Sequence, residues 1–150
     1  MQNIKLLLME QVNKILDERI ETAKRSIRFA IESRDSDTKS SAGDKYETGR
    51  EMAQQELNKY QAQLAKISGL KNDLNRINPE DRHDKVGFGS LVLTSCGNYF
   101  LSVPMGKISV QQKDIYSISM VSPIGQLLKG KMEGEQFLFQ GKIQVIQTIL

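Results

Sequence analysis

The residues that could do chemistry are few, and two of them stand together. Asp44 and Glu47 follow Gly43 at a spacing of i, i+3. At the start of a helix that spacing puts both carboxylates on one face. Two acids held at the end of a long rod suggest delivery to a place that another protein keeps recessed. The same two residues also suit a helix start, Asp44 as cap and Glu47 as its capping-box partner. Other candidates fail on their own spacing. Asp35 and Asp37 alternate like the opening of a calcium loop, but Ser40 and Tyr46 stand where that loop needs Gly and Glu. The segment 125–131 reads GxxxxGK, yet Met132 replaces the Ser or Thr a phosphate loop requires next. Cys96 has no base near it in sequence, since the single histidine, His83, lies in a charged stretch.

The elements that must position the acids are helical. From Gln2 to about Arg34 there is neither Pro nor Gly, and Ile4, Leu8, Val12, Ile15, Ile20, Ala23, Ile27 and Ala30 recur mostly three or four apart. Leu7, Leu16, Phe29 and Ile31 widen the stripe. The polar stretch from Asp35 to Gly43 predicts a turn. A second stripe then runs through Ala53, Leu57, Tyr60, Leu64, Ile67, Leu70, Leu74 and Ile77 and closes at Asn78-Pro79. Neither stripe can hide from water alone. The two helices are expected to fold back as an antiparallel coiled-coil hairpin with Asp44 and Glu47 at its tip.

After the charged segment 79–85 the pattern changes. Segments 86–92, 98–103, 107–110, 115–119, 136–139 and 142–150 are β-prone and punctuated by Gly and Pro. Ser122-Pro123 opens a brief helix that Gly130 stops. The expected architecture is α+β: a hairpin over 1–78 with its tip at about 35–51, a linker over 79–85, and a small antiparallel β domain with one short helix over 86–150. Met105, Met120 and Met132 are expected to fill core or rim, and Leu57, Leu64 and Ile67 to be core.

Composition narrows the function. A net charge of +3 with no basic run gives no electrostatic footprint for nucleic acid. The lone cysteine excludes an internal disulfide. The apolar run Leu6–Met9 is too short for a leader or a membrane span, so a cytoplasmic, non-membrane protein is expected.

The order of these parts resembles the Gre family of bacterial transcript-cleavage factors. Gly43-Asp-Lys-Tyr-Glu47 is similar to that family's Gly-Asp-x-x-Glu tip. The segment from Ile118 to Glu135, with Val121-Ser-Pro-Ile-Gly125 and Leu128-Lys-Gly-Lys131, is similar to its Val-Ser-Pro-Ile-Ala…Leu-x-Gly-Lys…Gly-Asp signature. The closing Ile143–Ile149 resembles its last strand. The resemblance covers nearly the whole chain. It departs after the tip, where Glu47-Thr-Gly-Arg-Glu51 replaces Glu-Asn-Ala-Glu-Tyr, and in a longer turn before it.

The resemblance implies an FKBP-like C-terminal domain docked at the mouth of the secondary channel of RNA polymerase, with Ser122, Pro123, Lys129 and Lys131 as the matching partner-binding positions. It implies a hairpin inserted in the channel, where Asp44 and Glu47 share Mg²⁺ with the polymerase and act on the RNA 3′ end. The chain would then be a monomeric accessory factor with no cofactor of its own, not a free-standing enzyme. Two other functions remain open. One is a regulator that occupies the channel without cleavage. The other is a coiled-coil adaptor or chaperone, which the polar tip disfavours because gripping unfolded chains needs an exposed apolar surface.

Overall fold

The computed structural model describes residues 3–40 and 44–150, the side chains of 37–46 excepted. The chain forms two compact units, one of residues 15–71 and one of residues 1–14 with 72–150.

Helix α1 runs Ile4–Ser40 and helix α2 runs Asp44–Asn75. As α1 advances from Asp17 to Arg34, its partner on α2 retreats from Lys71 to Gln54, so the helices are antiparallel. The expected turn at Asp35 is corrected: α1 continues through Ser40. The stretch 35–40 is polar but holds no Gly or Pro, so nothing in it stops a helix. The segment 41–43 lies outside the described residues. At its other end α2 stops at Asn75, short of Asn78. Arg76 and Ile77 there donate to Asp73 and Leu74, three residues back, at 3.2 and 3.1 Å. The ladder tightens ahead of Pro79.

Within residues 15–71 burial follows the stripe only in part. Ala23, Ala30, Ala53 and Leu57 are buried, while Leu64 and Ile67 are half-covered. Two helices alone shield only the line where they meet. Phe29, expected to widen the buried stripe, is 70% exposed.

The second unit holds strands β1 (Leu91–Thr94), β2 (Asn98–Leu101), β3 (Gly106–Val110), β4 (Lys113–Ile118), β5 (Gln136–Phe139) and β6 (Lys142–Ile149), with α3 (Pro123–Leu128). They form one sheet in the order β3-β4-β2-β1-β6-β5. The sheet is mixed rather than antiparallel, because β2 pairs with β4 in parallel. After β2 the chain lays β3 at the far edge, and β4 returns beside β2 along the same direction. The first strand begins at Leu91 rather than 86, since Val86 is spent holding Gly130 and Lys131, and Gly89 turns the chain at φ +91°.

The face under α3 carries the core. Val92, Leu101, Ile124, Leu128, Phe137, Ile146 and Ile149 pack together there. Each such side chain removed from water contributes about 1.5–3 kcal/mol. A bulge between Leu93 and Thr94 shifts the β1–β6 register from Thr148 to Ile146. No described helix is long and apolar enough to cross a membrane.

Candidate functional site

Asp44 is the first residue of α2, and Glu47 lies in that helix's first turn. Glu47 stands three residues after Asp44, about one helical turn on. The side chain of Asp44 lies outside the described residues, and so does its expected capping contact. Glu47 is exposed and forms no ion pair or hydrogen bond with any described residue. Glu51 and Arg50, one turn on, are exposed as well. An exposed carboxylate at a helix start is accessible to an external cation. Two carboxylates are a partial ligand set for a hard ion, whose remaining positions must come from water or another molecule. Among the described residues no cluster of three His, Cys, Asp or Glu could hold a metal.

The other predicted residues gather at α3, on the other compact unit. Ser122 caps the helix: its Oγ accepts from Gly125 N at 3.1 Å and donates to Ser119 O at 2.7 Å. Pro123 is the first helical residue, where its missing N–H costs nothing. Gly130 ends the turn at φ +81°, a conformation glycine reaches without strain. Lys129 and Lys131 flank it, the first exposed and the second half-buried. The backbone of Gly130 and Lys131 is fixed by two bonds to Val86: Val86 N donates to Lys131 O at 2.9 Å and Gly130 N to Val86 O at 2.8 Å. The GxxxxGK segment is therefore a capped helix, not a phosphate loop. Gly125 is there because α3 lies so close that a Cβ would stand 2.3 Å from Ser119 O.

Two groups escaped sequence reasoning. Lys5 is 1% exposed, and its Nζ donates to Asp81 O at 3.2 Å and Leu150 O at 3.4 Å. Burial holds its pKa below the usual lysine range, against the opposing charge of Asp81. His83 nearby is also lowered, first by burial and then by the Lys5 charge, with Asp81 again opposing. The segment 79–85, expected as a linker, is thus hydrogen-bonded to the start of α1, where Asn3 Nδ2 also donates to Pro79 O at 3.1 Å. The second group is Gln144, 4% exposed, which accepts from Thr94 Oγ1 at 2.9 Å and Tyr99 OH at 3.2 Å. Its place two residues before Ile146 on β6 is the signal that could have found it, since alternate strand residues share a face.

No family model matches the chain, and no curated protein matches it. Among solved structures it is similar to the transcription factor Gfh1, at 18% identity over 92% of this chain and 91% of that chain, with a TM-score of 0.37.

Proposed function

We propose that this chain is a transcription elongation factor of bacterial RNA polymerase that reaches the polymerase active site through the secondary channel. There it stimulates the enzyme's own Mg²⁺-dependent cleavage of backtracked RNA. The observation that carries the proposal is the pair Asp44 and Glu47 in the first turn of α2, where two long antiparallel helices meet. From Asp44 to Lys71 the rod extends about 40 Å at the helical rise of ~1.5 Å per residue. That length suits delivery of two acids to a site another protein encloses.

Asp44 and Glu47 would contribute carboxylate oxygens to a Mg²⁺ whose other ligands belong to the polymerase and its RNA. Bound there, the ion supplies an acidified water and neutralises charge developing on the phosphodiester. The chain's own part is positional. The i, i+3 spacing at the helix start would hold both acids on one face. The β unit would carry the docking contact, with Ser122, Pro123, Lys129 and Lys131 on a turn pinned to Val86.

A second reading, a channel regulator that does not cut, is favoured by one feature. Arg50 stands three residues after Glu47, also exposed, where it can compete for the carboxylate. The test is RNA shortening in a stalled, backtracked elongation complex, comparing wild type with Asp44→Asn/Glu47→Gln. The proposal expects cleavage by wild type and roughly a hundredfold loss or more in the double mutant, with polymerase binding retained. Altered pausing without cleavage by either protein would select the regulator. No binding to polymerase would reject both and leave the adaptor.

A further inference from the structure

A cavity of about 500 Å³ opens on the α3 face of the sheet, beside the tip of the β1–β2 hairpin. Tyr99, Tyr116, Ile118, Ile124 and Phe139 form its walls, with the two tyrosine rings 6.2 Å apart and tilted. That size suits a small ligand held between apolar walls and a polar rim. Gln144 also lines it. Both hydrogen bonds that hold its side chain fall on Oε1. Its Nε2 donates to no described residue, yet the only described side-chain atom sealed from solvent without a partner is Asn13 Oδ1. Nε2 is therefore the end of Gln144 left for the cavity that this residue lines.

Lys142 is the one lining residue with a full side-chain charge, and no carboxylate lines the cavity. It lies two residues before Gln144 on β6, so both side chains leave the same face of the strand about 7 Å apart. We propose that this cavity is a binding site for a small aromatic carboxylate. The ring would lie against Tyr116, Ile118 and Phe139. One carboxylate oxygen would accept from Gln144 Nε2 and the other would face the Lys142 ammonium. The site stands on the β unit alone and does not depend on the polymerase reading.

The mouth carries its own reporter. Cys96, the sole cysteine of the chain, lines the cavity and is exposed. The experiment follows alkylation of Cys96 by iodoacetamide in the full chain while naphthoate, or its neutral isostere naphthalene carboxamide, is titrated in. Naphthoate should slow the reaction saturably, and the carboxamide should need roughly threefold more for the same protection, the scale of one exposed charge. Lys142→Met should erase that difference. Gln144→Met should weaken both ligands about fivefold, the scale of one hydrogen bond. If Gln144→Met does not fold, Tyr116→Ala on the exposed wall should weaken both in its place. Protection by neither compound would overturn the proposal, as would equal protection by both in wild type. Protection by RNA polymerase with none by naphthoate would also overturn it and make the cavity a protein contact.

Discussion

Replacing Gly125 by alanine tests how closely α3 is laid on the chain beneath it. A Cβ built there would stand 2.3 Å from Ser119 O and 3.0 Å from both Met120 O and Ser122 Oγ. Two of those neighbours are backbone carbonyls, which cannot rotate away as a flexible side chain would. Restoring contact distance requires a displacement of about 1 Å, and packed interiors resist such shifts. That displacement breaks the Ser122 cap, whose two bonds measure 3.1 and 2.7 Å. Losing the cap costs about 1 kcal/mol, and the overpacking about 1–3 kcal/mol. The better helix propensity of alanine returns at most about 1 kcal/mol. The net loss is about 1–4 kcal/mol, or roughly 2–16 °C in Tm for a chain of this length. Urea unfolding followed by near-UV circular dichroism reads it, because Tyr99 and Tyr116 both belong to the β unit. Gly130→Ala is the control. That site has nothing within 4 Å, so its cost of about 1–2 kcal/mol comes from φ +81° alone. A Gly125→Ala midpoint within about 0.5 kcal/mol of wild type, the scale of a neutral surface change, would refute the packing argument.

Other consequences can be checked on the isolated protein. Gln111 and Gln112, between β3 and β4, sit at φ 51° and 64°, values a hairpin of this kind fills better with an Asn-Gly pair. The double change Gln111→Asn/Gln112→Gly should raise stability by about 1–2 kcal/mol in the same urea titration, and a loss would contradict the turn assignment. Ser117 is buried and donates to Val103 O at 2.6 Å, so Ser117→Ala strands a buried acceptor and should cost about 1–3 kcal/mol. His83 is lowered below 6.5 by burial and by Lys5. Between that lowered value and 6.5 the unfolded chain holds a proton the folded chain has released, so this group's contribution to stability rises with pH across the window and is level above it. Lys5→Met should move the His83 imidazole back toward 6.5 by NMR titration, and a wild-type midpoint at or above 6.5 would end the account.

What the sequence disclosed and what it withheld divide along one physical line. Periodic burial is written locally, so both long helices and all six strands are legible as apolar spacing. Val86 misled because its apolar side chain is buried, as in a strand, while its backbone ties down the turn at 130–131. The parallel pairing of β2 with β4 has no local signature, since alternation along a strand is the same whichever way its neighbour runs. Lys5 and Gln144 went unseen for a related reason. A pattern reading sends polar residues to the surface, and only partners far along the chain reverse that assignment. For Lys5 these are carbonyls 76 and 145 positions away; for Gln144 they are hydroxyls 50 and 45 positions away. Asp44 and Glu47 are the opposite case. Their types and spacing are visible at once, and the helix start that presents them follows from Gly43 and the stripe behind it. What they do depends on which ligands meet them from outside the chain. A buried polar residue is explained by the fold that closes over it, whereas an exposed acid such as Glu47 is given no role by the fold alone.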